Sequence, residues 1–161
     1  MIYYWQYSFG VRLKMGEKDI YKIALRFRRA IIAAKKERKF YHRDRMSNFP
    51  GGCCDDSSDL LAYYLLTEYN IPSRQRNGVY YTGDPNDTTN HAWLELDGEL
   101  FVDITADQFE YFSYLAEGVY VGENNTFYEH LDRKECYENY DISSNDRLWK
   151  DYCIILQYLD R

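Results

Sequence analysis

The chain has 161 residues and a formal net charge of −6, with 45% hydrophobic and 18% aromatic residues, including 18 tyrosines. A domain of that size buries about two-thirds of its unfolded surface, and this composition excludes a disordered or low-complexity chain. Nothing approaches the run of about 18 apolar residues that a membrane span needs, and the start Met1-Ile-Tyr-Tyr-Trp-Gln-Tyr7 lacks the charged, apolar pattern of a secretory signal. Four cysteines without an export signal, two of them the vicinal Cys53 and Cys54, suit reduced thiols in a cytoplasm.

In chain order, Tyr3 to Leu13 reads as a strand or an irregular arm interrupted by Gly10. From about Glu17 to Phe40, Ile20, Ile23, Ala24, Phe27, Ala30, Ile31 and Ala34 fall at helical spacing, which predicts a long amphipathic helix. Between Lys18 and Arg45 lie nine cations: Lys22, Arg26, Arg28, Arg29, Lys35, Lys36, Arg38, Lys39 and Arg43. A basic stretch can face nucleic acid. Without any stacking motif beside it, it reads as the solvated face of that helix, and no nucleic-acid partner is expected.

Residues 47–52 form a loop, and a second helix is predicted from near Cys54 to about Tyr69, ending at Ile71-Pro72. A strand follows over Gln75–Tyr81, then a polar loop over 83–89 and two alternating runs joined at Asp97-Gly98. A short strand at Val119–Val121 and a closing helix over Arg147–Leu159, capped by Ser143 or Ser144, complete the prediction.

The hairpin carries the first functional signal. Ala92, Leu94 and Leu96 alternate with His91, Trp93 and Glu95, and Leu100, Val102 and Ile104 alternate with Phe101 and Asp103. A two-residue turn would separate the aliphatic sets and place His91 and Asp103 on opposite faces. A three-residue loop, Leu96-Asp97-Gly98, pairs His91 directly with Asp103 and Glu95 with Glu99. The aliphatic face selects the three-residue loop. Asp103 can then fix the tautomer of His91.

The second signal is Gly51-Gly52-Cys53-Cys54. A cysteine opening a helix meets orphan backbone donors, which favour the thiolate, and an N–H there can hold an oxyanion. Asp55 and Asp56 oppose the thiolate, so an imidazolium would have to outweigh them. Taken alone, either cysteine also fits a small buried hydrophobe. With the His–Asp hairpin, the set becomes a Cys–His–Asp arrangement for acyl transfer. His42 and His130 show no metal-ligand spacing with the cysteines, so neither a metal nor a cofactor is expected.

Gly52-Cys53-Cys54, Leu60-Leu61, Asn70-Ile71-Pro72-Ser73-Arg74, His91-Ala92-Trp93 and Val102-Asp103-Ile104-Thr105 occur in that order, and together they resemble the transglutaminase-like superfamily. The resemblance covers about residues 47–109. Phe49-Pro50-Gly51-Gly52-Cys53-Cys54 and the run Asp103 to Phe109 are similar to small bacterial and phage-type members. It implies an α+β fold with a papain-like core, a catalytic helix packed on an antiparallel sheet with flanking helices, and one domain over 1–161. The leucine pair six and seven residues on makes Cys54 the match to the nucleophile, with His91 as base and Asp103 as its orienting carboxylate.

Ile104 departs from the superfamily's usual proline, and no calcium loop accompanies the motifs. Candidates for the remaining oxyanion donor or the cleft wall are Cys53, Asn48, Tyr41, Trp93 and Gln108, with Asp107 beside the last. A protein or peptide substrate is implied. The alternatives are an arylamine-N-acetyltransferase-type reaction on a coenzyme A thioester and a non-catalytic binding module.

Overall fold

In the computed structural model, residues 4–8, 11–81, 88–97, 100–123, 125–138 and 141–159 are described, with the backbone alone at 4–8, 11–14 and 132–138. The arm at the amino terminus is a hairpin of β1 (Tyr4–Ser8) and β2 (Val11–Met15). α1 (Glu17–Lys36) then buries the apolar stripe read from its spacing. Arg38 adopts the left-handed conformation (φ 56°) just past α1, so the helix stops short of Phe40, which turns back into the core. Arg28 departs from the basic face: it is only 5% exposed.

α2 (Cys54–Tyr69) ends where Asn70 takes a left-handed cap and the Ile71 N–H returns to Leu65 O (3.0 Å), so Asn70 rather than Pro72 makes the stop. β3 (Ser73–Tyr81) and β4 (Thr88–Leu96) follow; Thr88 and Thr89 are strand, and the rest of the predicted 83–89 loop lies outside the described residues. β5 (Leu100–Asp103), β6 (Tyr120–Gly122), α3 (Thr126–Glu129), β7 (Asp132–Glu138) and α4 (Asp146–Leu156) complete the chain. β7 and α3 were not legible in the alternation. The cap of α4 is Asn145, whose side chain accepts from the Arg147 and Leu148 N–H groups, in place of Ser143 or Ser144.

The main sheet has five antiparallel strands in the order β6-β5-β4-β3-β7. On one face, Leu94, Leu96, Leu100, Val102 and Ile104 join α1, α2 and α4 in a core with Phe27, Leu61 and Leu65. On the other, Trp93 and Phe101 pack with Phe112, Phe127, Tyr128 and Leu131. Both faces are therefore dry, and the polar residues among them need partners.

The hairpin register differs from the expected one. Leu96 pairs Leu100 and Leu94 pairs Val102, so the three connecting residues are 97–99 rather than 96–98; Gly98 and Glu99 lie outside the described residues. His91 and Asp103 share a face as the aliphatic pattern requires, but they are diagonal neighbours, since this register sets Asp103 across from Trp93. Glu95 sits opposite Phe101, buried and bonded to Arg74 and Arg76, not at a solvated end facing Glu99. Two arginines on β3 make that burial tolerable.

The turn after β5 is pinned from α1. The Arg28 guanidinium donates to Ile104 O and forms a two-pronged ion pair with Asp107 (3.1 and 2.6 Å). Gly118 passes directly over this pair at φ +65°, where a Cβ would lie 2.5 Å from Arg28 Nη2 and 2.6 Å from the Asp107 carboxylate. Gly118→Ala should therefore cost about 1–3 kcal/mol, through left-handed strain and displacement of the pair. Urea unfolding measures it, and a variant as stable as the parent would contradict the tight approach.

Candidate active site

β5 stops at Asp103, while β4 runs on past it toward its beginning at Thr88. The first turn of α2 meets that uncovered stretch: the Cys54 thiol points to Asn90 O at 3.9 Å. Cys54 is the first residue of the helix, following Cys53 as its cap. The Ser57 N–H bonds Cys53 O (2.8 Å), and helix geometry leaves the N–H groups of the first turn without intrahelical acceptors. Cys54 is partly exposed, whereas the His91 and Asp103 side chains are 0% and 1% exposed.

His91 Nε2 lies 2.5 Å from Asp103 Oδ2. The Tyr128 hydroxyl donates to the same oxygen (2.9 Å), and Oδ1 accepts from the Thr105 N–H (2.8 Å) and hydroxyl (3.1 Å). Burial alone would raise the Asp103 carboxyl, but His91, Thr105 and Tyr128 hold it below its ordinary value. Burial likewise pushes the His91 imidazole down. Asp103 outweighs it, with help from the Cys54 thiol, and the imidazole stands at about 9. Its Nδ1 is buried without a hydrogen-bond partner among the described residues. That nitrogen is the one left for the thiol.

Aromatic rings fix the imidazole. Trp93 stacks on it (5.9 Å between centroids, 21°) and Phe109 meets it edge-on at 4.7 Å. Tyr128 and Phe109, which touch Asp103 and His91, were not among the residues singled out from the sequence. Phe109 stood at the end of the run that begins with Asp103, but Tyr128 gave no local signal.

The remaining candidates separate. Gln108 is brought to the loop before Cys54, its Oε1 accepting from the Gly52 N–H (3.3 Å) while its Nε2 donates to Thr105 O (3.2 Å). Cys53 is a core residue at 0% exposure, its thiol pushed up to about 12 by burial. The Asn48 amide is spent on Gly51 O (3.0 Å), within its own loop. Trp93, at 1% exposure, backs the imidazole from within the second core and does not line an open wall. Tyr41 packs on His42 and borders a cavity that none of Cys54, His91 and Asp103 lines.

Asp55 and Asp56, which would oppose a thiolate, are neutralised. Arg45 bonds both (3.0 and 2.7 Å), and Arg147 grips Asp56 with two bonds of 2.8 Å.

The His91–Asp103 pair ties stability to pH. Below about 6.5, folded and unfolded chains both hold the His91 proton, and its share of the pair's stabilisation is complete. Between there and about 9 only the folded chain holds it, so stability falls as pH rises. Asp103, held low, supplies the acid limb: its share is lost as pH drops below the ordinary carboxylate range. Urea unfolding across the alkaline window should show a decline of up to about 1.4 kcal/mol per pH unit that His91→Gln removes. Parallel curves for the two proteins would refute the assignment.

No protein-family model, curated protein or solved structure matches the chain.

Proposed function

We propose that the protein is a cysteine-dependent acyl-transfer enzyme of transglutaminase-like type, acting through Cys54, His91 and Asp103 on an amide of a protein or peptide. The observation that carries the reading is the buried His91–Asp103 contact, with Nδ1 unpartnered and a helix-opening thiol beside it.

Since His91 holds its proton up to about pH 9, the Cys54 proton rests on Nδ1 before substrate arrives, and the thiolate sulfur attacks the carbonyl carbon, forming a C–S bond. The developing oxyanion is met by backbone N–H groups of the first turn of α2. Collapse breaks the C–N bond, and the leaving amine takes the proton from His91. Water or a second amine then attacks the thioester, giving hydrolysis, deamidation or transamidation and restoring the thiol. Asp103 stays ionised throughout and balances the imidazolium. Tyr128 and Thr105 are positioning residues, because they touch Asp103 and not the reacting atoms.

Cys153 is an exposed free thiol on α4 and serves as an internal reference. With iodoacetamide near neutral pH, Cys54 should react at least about tenfold faster than Cys153, and His91→Ala should abolish the difference. Equal labelling of the two thiols, unchanged in His91→Ala, would leave a non-catalytic binding module on this fold. A mass increase at Cys54 that depends on acetyl-coenzyme A would move the reading to a coenzyme A acyl donor.

A further inference from the structure

The chain carries a concave site that the proposed thiol chemistry does not use. A cavity of about 780 Å³ lies between the segment leaving α1 and the first turns of α4, within the usual range for small-molecule sites. Lys39, Arg43 and Lys150 stand on its wall, all exposed, and no carboxylate pairs with any of them among the described residues. Against them the rim sets Asp146. The other two acidic residues, Asp44 and Asp151, are buried in the floor with Arg147 bridging them. Asp151 is pushed up to about 7 by burial and by Asp44, which weakens the floor's negative charge further.

An adjoining cavity of about 520 Å³ shares Tyr41 and is lined by Lys35, Arg38 and His42 with no carboxylate on its wall. The positive field is therefore a local concentration in a chain whose net charge is −6. Several unpaired cations around a small-molecule volume match an anion with many oxygens better than a lone carboxylate, and guanidinium groups bind such oxygens in pairs. Tyr41, 60% exposed, offers a ring face beside them.

We propose that this cavity binds a small phosphorylated ligand carrying two or more phosphate groups, held by Lys39, Arg43 and Lys150. The site stands apart from the triad, so Cys54→Ser protein should bind as the parent does. That variant separates failure of this proposal from failure of the thiol reading.

The test is calorimetric titration of the intact chain with pyrophosphate, with ATP and with a short oligothymidylate, at about 0.15 M salt. The expected result is saturable binding of pyrophosphate or ATP at one site below about 1 mM. The double variant Arg43→Glu, Lys150→Glu should weaken it at least about tenfold while leaving the unfolding midpoint unchanged, since both side chains are exposed and neither has an ion-pair partner among the described residues. ATP binding without pyrophosphate binding assigns a nucleotide; equal affinities assign the phosphate groups alone. The proposal is overturned if neither small ligand saturates, if the double variant binds equally well, or if only the oligonucleotide binds.

Discussion

The Asp103 carboxylate is the group around which the rest of the site is arranged. A buried carboxylate costs several kcal/mol unless its oxygens are met by donors. Here four donors meet it, from three separate parts of the chain: His91 on β4, the Thr105 N–H and hydroxyl in the turn after β5, and Tyr128 on α3. Each places a demand on the fold. β5 must end so that the chain curls back over its own last residue. α3 must dock on the second face of the sheet. The turn must hold its shape, which Arg28 secures from α1 by gripping Asp107 and Ile104 O. Backbone topology and site geometry are thus parts of one requirement.

A second constraint concerns charge at the opening of α2. Asp55 and Asp56 suit the positive end of the helix but sit immediately after Cys54. Arg45 and Arg147 resolve the conflict by pairing with them, and in doing so they fasten a short 3-10 turn, Arg45–Asn48, and α4 to α2. Asp56 is buried, so its pairing is the kind whose loss leaves an uncompensated charge in the core. The helix N-terminus keeps its polarity while the net charge beside the thiol is reduced.

Periodic burial was legible in the sequence, and pairing over long distances was not. The α1 stripe and the extent of α2 followed from spacing, because an amphipathic helix repeats its signal over several turns. In the β4–β5 hairpin, alternation decided which residues share a face. It could not distinguish registers differing by two, since both keep the aliphatic set together; the pairing of Leu96 with Leu100 is what separates them. Arg28 was grouped with the solvated cations because its partners, Ile104 and Asp107, are more than seventy residues away. Tyr128 was silent for the same reason. In a chain rich in tyrosine, only tertiary contact marks the one that reaches the carboxylate. Cys53 shows the converse case: its neighbour carries the partly exposed thiol, and one step along the chain turns the side chain into the core.

The packing around the imidazole limits how the proposed chemistry can run. Trp93 on one side and Phe109 on another pack against the His91 ring and resist its swinging between partners, and Asp103 holds Nε2. The ring can therefore exchange a proton only through Nδ1, toward α2. The movable partner is the thiol, partly exposed and resting against Asn90 O. Rotation about the Cα–Cβ bond of Cys54 is a small, local change compared with reorienting a clamped, charged imidazole. On the proposed reading, the base is rigid and the nucleophile adjusts, so substrate has to approach from the exposed side of Cys54, across the uncovered beginning of β4.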